Sequence, residues 1–151
     1  MSDAVHRSFS AVLRFDADAD RVFEVFCPVR ERIDGELVHS ASGGAEEGMV
    51  FRVPGREGAS DTVYTYALHD PEARRIRIVG VRADDRVTTM AIDVEEDPSS
   101  AGSTLARVTL GRTGLSPEGS TRIARWTEAD FREEMARWQR DLGGLLERGD
   151  R

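Results

Sequence analysis

The chain is 151 residues long and carries 21 basic side chains, all arginine, against 28 Asp and Glu, for a formal charge of −7. That length is typical of one domain and buries about 70% of the surface its unfolded form exposes, so residues 1–151 are expected to form a single domain without a disulfide or metal staple. The acidic balance, with arginines interleaved among acids, argues against a nucleic-acid partner, and the absence of lysine excludes Schiff-base and P-loop chemistry.

The opening Met1-Ser2-Asp3-Ala4-Val5-His6 has neither the basic nor the apolar region of a signal peptide. No apolar run approaches the ~20 residues of a membrane span, and a cytoplasmic location is expected. From Arg7 to Phe15, Phe9, Ala11, Leu13 and Phe15 alternate with polar residues, the pattern of a half-buried strand. Asp18 is a fitting N-cap for the next element, and Asp20 suits its first turn. Val22, Phe23 and Phe26 repeat there at helical spacing. Pro28 ends that helix near Cys27, and a short helix or turn over Val29 to Ile33 leads to Gly35.

Six strands separated by turn residues follow: Glu36 to Ser42, Met49 to Val53, Thr62 to His69, Arg74 to Val81, Arg86 to Glu95 and Thr104 to Gly114. Hairpin-length links between them predict an antiparallel meander. Residues 127 to 146 then read as a long helix, with Phe131, Met135, Trp138, Leu142 and Leu145 forming one apolar stripe. Thr127 and Asp130 suggest a weak capping box at its start, although Ile123 and Trp126 extend the stripe back toward Ser120, and Trp126 can stand exposed there. Gly143-Gly144 weakens the last turns by about 1 kcal/mol per glycine relative to alanine, a cost tolerable where the glycines let helix and sheet approach closely. A curled antiparallel sheet crossed by one helix is covered incompletely, and the space left becomes core or an apolar cavity.

This element order, with the segment Phe15-Asp16-Ala17-Asp18-Ala19-Asp20-Arg21-Val22-Phe23, resembles the SRPBCC superfamily of START-like helix-grip domains. Cys27-Pro28-Val29-Arg30-Glu31, Glu36-Leu37-Val38, Ala45-Glu46-Glu47-Gly48, Val50-Phe51 and Phe131-Arg132-Glu133-Glu134-Met135 are similar to a bacterial polyketide-cyclase-like subgroup. The resemblance implies an α+β helix-grip fold in the order β-α-α-β6-α, a curved antiparallel sheet of about seven strands around the C-terminal helix. One departure is the short stretch Arg32-Ile33-Asp34-Gly35, where subgroup members carry a longer, tryptophan-containing segment near the pocket entrance. The pocket here is therefore either more open or closed to the usual ligand.

Candidate site residues follow from which faces the strands present. His39, with Leu37 expected on its face, is either a pocket-facing hydrogen-bonding or proton-transfer group or a half-exposed strand residue. Tyr64 and Tyr66, expected to share a face with Leu68, either offer hydroxyls to a ligand or pack as ordinary strand residues. Arg112 lies on the apolar face of Ala106, Val108 and Leu110, where a charge needs a partner: a ligand carboxylate, or an acid of the long helix such as Glu134. Phe131, Met135 and Trp138 line a cavity or fill the core, and Phe51, Ile78, Met90 and Val108 complete the expected lining. Cys27 is expected to be buried and inert, since no neighbouring residue supplies a base. His6 and His69 read as surface or strand-end residues. Three scattered histidines and one cysteine lack zinc spacing, so neither metal nor organic cofactor is expected.

The leading expectation is binding of a small hydrophobic ligand, such as a lipid or aromatic polyketide, between sheet and helix. The alternatives are a cyclase, dehydratase or hydrolase using His39 or a buried acid with Tyr64, Tyr66 and Arg112, and a protein-interaction module like the superfamily's chaperone activators. A homodimer is open, with no face specified.

Overall fold

The structure, a computed structural model, describes residues 4–27 and 35–148. The expected turn over Val29 to Ile33 and most of the shortened segment lie outside these residues. In chain order the elements are β1 (His6–Phe15), α1 (Ala19–Phe26), β2 (Glu36–His39), β3 (Val50–Val53), β4 (Thr62–Asp70), β5 (Arg75–Arg82), β6 (Arg86–Glu96), β7 (Thr104–Gly114), α2 (Pro117–Ala124) and α3 (Glu128–Arg148). All seven strands join one antiparallel sheet in the order β1-β7-β6-β5-β4-β3-β2. Strands β2 to β7 form the expected meander, and β1 closes the far edge against β7, so consecutive strands β1 and β2 lie at opposite edges. The chain has the helix-grip architecture.

Local chemistry accounts for the elements. The Asp18 carboxylate accepts the Arg21 N–H at 3.0 Å and caps α1, whose Val22, Phe23 and Phe26 are buried. On β1, Phe9, Ala11 and Leu13 stand opposite Leu110, Val108 and Ala106 of β7, so the period-two pattern puts both strands' apolar faces on one side.

The start of α3 departs from the continuous stripe read toward Ser120. A separate helix, α2, is capped by Ser116, which accepts the Gly119 N–H, and has Pro117 in its first turn. A short break follows. Thr127 and Asp130 then cap each other: Thr127 N–H donates to the Asp130 carboxylate at 3.0 Å, and Asp130 N–H donates to the Thr127 hydroxyl at 3.1 Å. The break turns Trp126 inward to 8% exposure, edge-on to Phe9 at 4.8 Å; the exposed position open to it in the sequence is not the one it takes.

Two irregularities in strand pairing decide which side chains face the helix. In β2 the register shifts between Leu37 and His39, so Leu37 opposes Phe51 while His39 opposes Val50. In β4 it shifts between Tyr66 and Leu68, so Tyr66 opposes Ile78 but His69, not Leu68, opposes Ile76. One extra residue in a strand sends every later side chain to the other face. His39 therefore leaves the concave face expected for it, and Leu68 leaves the face of Tyr64 and Tyr66. His69 is turned inward.

The helix α3 grips the sheet unevenly. Phe131 and Met135 are buried at 1% and 3% exposure against a tight core that includes Val108 and Leu110. Beyond them Trp138, Leu142 and Leu145 are only partly buried. The two glycines serve no close approach to the sheet: a Cβ at Gly143 would meet nothing within 4 Å, and one at Gly144 would meet only the side chain of Arg148. Among the described residues no helix is long and apolar enough to cross a membrane.

Candidate functional site

Under the second half of α3 the sheet and helix part, leaving a partly open cavity of about 470 Å³. Its floor is the concave sheet, with Phe51, Tyr64, Tyr66, Ile78, Met90 and Ile92, and its roof is α3, with Trp138, Leu142 and Leu145. Val25 and Phe26 of α1 close one side, and Asp141, exposed, marks the mouth. Phe51 and Tyr64 stack at 5.0 Å between ring centroids. The Tyr64 ring lies across Gly80, where any Cβ would collide with it; glycine on β5 is what lets that ring lie flat against the sheet.

The lining is apolar apart from three side chains. Tyr66 is 1% exposed, and its hydroxyl has no hydrogen-bond partner among the described residues. Burial, reinforced by the neighbouring Cys27, pushes its phenol far above the usual range. The hydroxyl therefore stays protonated and is a donor without an acceptor. Tyr64 is half-buried on the same wall, and Asp141 can meet a polar or cationic end at the rim.

The residues singled out in the sequence divide into two groups. Phe51, Tyr64, Tyr66, Ile78, Met90 and Trp138 come together on the cavity. Val108, Phe131 and Met135 do not line it; they are sealed in the core beneath the first half of α3. His39 is exposed on β2, turned away by the register shift. Arg112 takes the internal partner: its guanidinium pairs with Glu134 at 3.5 Å and lies 4.2 Å over the Trp126 ring. His39 and Arg112 thus converge with the tyrosines at no point of the cavity. The cavity residues missed in the sequence, among them Val53, Ile92 and Asp141, carry no local signal beyond strand or helix periodicity.

A second concavity of about 490 Å³ opens beside α1, lined by Asp20, Phe23, Glu24, Cys27, Ala45, His69 and Pro71. Here the sequence reading needs correction. Cys27, though buried, does have a base nearby: its Sγ is 3.3 Å from His69 Nε2 and also 3.3 Å from the Phe23 carbonyl. The β4 bulge brings His69 there from 42 residues away. Burial holds the His69 imidazole below its usual range, with the Asp70 carboxylate pulling the other way.

No family model matches the sequence, and no curated protein matches it. Solved structures do match over nearly the whole chain. A norcoclaurine synthase point mutant from Thalictrum flavum, in complex with a transition-state analogue, aligns with a TM-score of 0.67 at 14% identity, covering 100% of both chains. The same plant's norcoclaurine synthase, in complex with dopamine and hydroxybenzaldehyde, aligns at 0.63 and 15% identity, over 98% of this chain and 90% of that one. A START superfamily protein from Mycobacterium smegmatis aligns at 0.65 and 14% identity, over 95% of this chain and 99% of that one. At these identities the likeness is one of fold.

Proposed function

We propose that this helix-grip protein binds a small, largely apolar molecule that carries a hydrogen-bond acceptor, with its apolar body beneath α3 and its acceptor at the Tyr66 hydroxyl. The observation that carries this reading is a buried donor, without a partner among the described residues, in a largely apolar cavity. Leaving such a group unsatisfied costs about 1–3 kcal/mol, a cost that a bound carbonyl or ether oxygen would offset. A cavity of about 470 Å³ lies in the range that encloses small organic ligands. Norcoclaurine synthase, of the same fold, holds aromatic molecules, and an aromatic guest suits the walls formed here by Phe51, Tyr64 and Trp138. A lipid chain or an aromatic polyketide fits the same chemistry.

The cyclase alternative loses His39, one of its two expected kinds of proton-transfer group, because His39 is exposed outside the cavity; the acid that lines the cavity, Asp141, is exposed rather than buried. The test is uptake. Native mass spectrometry of the purified protein, and titration with a hydrophobic fluorescent dye, should show one saturable site that quenches or shifts Trp138 emission. Leu142→Trp, which fills the cavity from the roof, should abolish uptake while leaving the far-ultraviolet circular dichroism unchanged. Dye binding that survives this substitution intact would refute the assignment.

A further inference from the structure

The concave face carries, at the end away from the cavity floor, a set of arginines that the ligand reading does not use. Arg112 on β7 directly opposes Arg7 on β1 and Thr88 on β6. Arg86 sits two residues from Thr88 on β6, opposite Gly114, so it shares this face and is a diagonal neighbour of Arg112. Like charges placed opposite or diagonally on one sheet face repel, and burial strengthens the repulsion. A pair of this kind persists only where opposite charge is supplied.

The protein supplies little of it. Glu134 is 3.5 Å from one terminal nitrogen of Arg112, whose side chain is 15% exposed. The Arg112 Nε is buried without a hydrogen-bond partner among the described residues. The Arg86 side chain, half-buried, makes no hydrogen bond or ion pair with any described residue, and neither does that of Arg7. Asp85, whose charge acts on Arg86, also accepts from Arg82 at 3.3 Å and from Arg122. Burial, then the charges of Arg112 and Arg82, pull the Arg86 guanidinium below its usual range, while Asp85 and Tyr64 oppose this. Arg112 and Arg86 therefore share this half-buried face with Arg7, and the only opposing charges are Glu134, which pairs with Arg112, and Asp85, which acts on Arg86 while it pairs with Arg82 and Arg122, among the described residues.

We propose that Arg86 and Arg112, flanked by Arg7 on the edge strand, form a binding site for a single oxyanion, a carboxylate or a phosphate group. Guanidiniums present planar forks of N–H donors that match both groups bidentately and remain charged at any working pH. The unpaired Arg86 fork is the accessible donor, and the buried Arg112 Nε–H, orphaned among the described residues, becomes available when the Arg112 side chain shifts toward the anion. Trp126, stacked on the Arg112 guanidinium, and Glu134 hold that side chain in place. Neither Arg86 nor Arg112 lines the cavity, although Tyr64 of its floor is close enough to Arg86 to act on its charge.

The test follows the arginine side-chain N–H resonances by NMR while the full chain is titrated, at constant ionic strength, with inorganic phosphate, with benzoate, and with benzyl alcohol as the uncharged control. Saturable shifts at Arg86 and Arg112 with at least one anion, and none with the alcohol, are expected. Binding of phosphate identifies the free anion as sufficient. Binding of benzoate alone identifies a carboxylate borne on an apolar body. Arg86→Gln should weaken anion binding by about 10-fold or more, as expected for loss of a charge-assisted hydrogen bond, without lowering the thermal midpoint in anion-free buffer. Glu134→Gln, which removes the internal competitor, should tighten it. Saturation with neither anion, or anion affinity unchanged in both variants, overturns the proposal. Dye uptake by the cavity is read separately, so loss of one reading leaves the other standing.

Discussion

Replacing Tyr66 by Phe removes one oxygen atom and should move stability and affinity in opposite directions. The ring is 1% exposed and its hydroxyl has no partner among the described residues, so deletion relieves a desolvation penalty of about 1–3 kcal/mol. The cavity is partly open and water can enter it, which places the expected gain near the low end, about 1 kcal/mol. For a chain of this length that raises the thermal midpoint by roughly 2–4 °C. In the same variant, a guest with a carbonyl at the right end should lose about 1 kcal/mol of binding, roughly fivefold. A hydrocarbon guest of the same shape should bind unchanged. Urea and thermal unfolding of the two proteins, with isotherms for such a matched pair of guests, measure all three quantities. A Tyr66→Phe protein less stable than wild type would mean that the hydroxyl is already paired in the unliganded state. Equal loss of both guests would mean that it does not recognise the acceptor. Either result refutes the reasoning.

Other predictions follow from the same geometry. Gly143→Ala should stabilise the fold by about 0.5–1 kcal/mol, because a Cβ there meets nothing within 4 Å; chemical denaturation reads this directly. Phe131→Ala should cost about 3–5 kcal/mol in the same assay, as for a large side chain removed from a sealed core. His69 titrates below its ordinary 6.5 in the folded chain. The unfolded chain therefore takes up the proton first, and stability, fully present above pH 6.5, falls as pH drops from there toward the folded value. Unfolding curves at pH 7 and pH 5 should diverge more for wild type than for His69→Gln.

Much of the fold was readable because it is written in periodicity. The alternation of Phe9, Ala11, Leu13 and Phe15, the spacing of Phe131, Met135 and Trp138, and the turn residues between strands each report a local regularity. What failed were the two places where regularity is broken. The extra residue near Val38 sends His39 outward, and the one near Ala67 sends His69 inward to meet Cys27. Neither bulge carries a glycine or any other local mark in the sequence. The same limit explains why Phe131 and Trp138, one stripe on one helix, part company: whether helix and sheet touch or separate depends on sheet curvature. Arg112 shows the converse, since a charge on an apolar face announces that it needs a partner, and Glu134 was one of those the sequence offered.

The placement of β1 and β2 at opposite edges bears on how the molecule assembles. Residue 6 comes to rest beside residue 113, a loop of 107 positions, while β2 through β7 pair with near neighbours. Closing so long a loop is entropically unfavourable and slow. On a ribosome, the first strand must wait for residues 104–114 to emerge, with Phe9, Leu13 and Phe15 unshielded meanwhile. β1 is thus made well before the strand it pairs with, and its apolar face stays open to other chains in the interval.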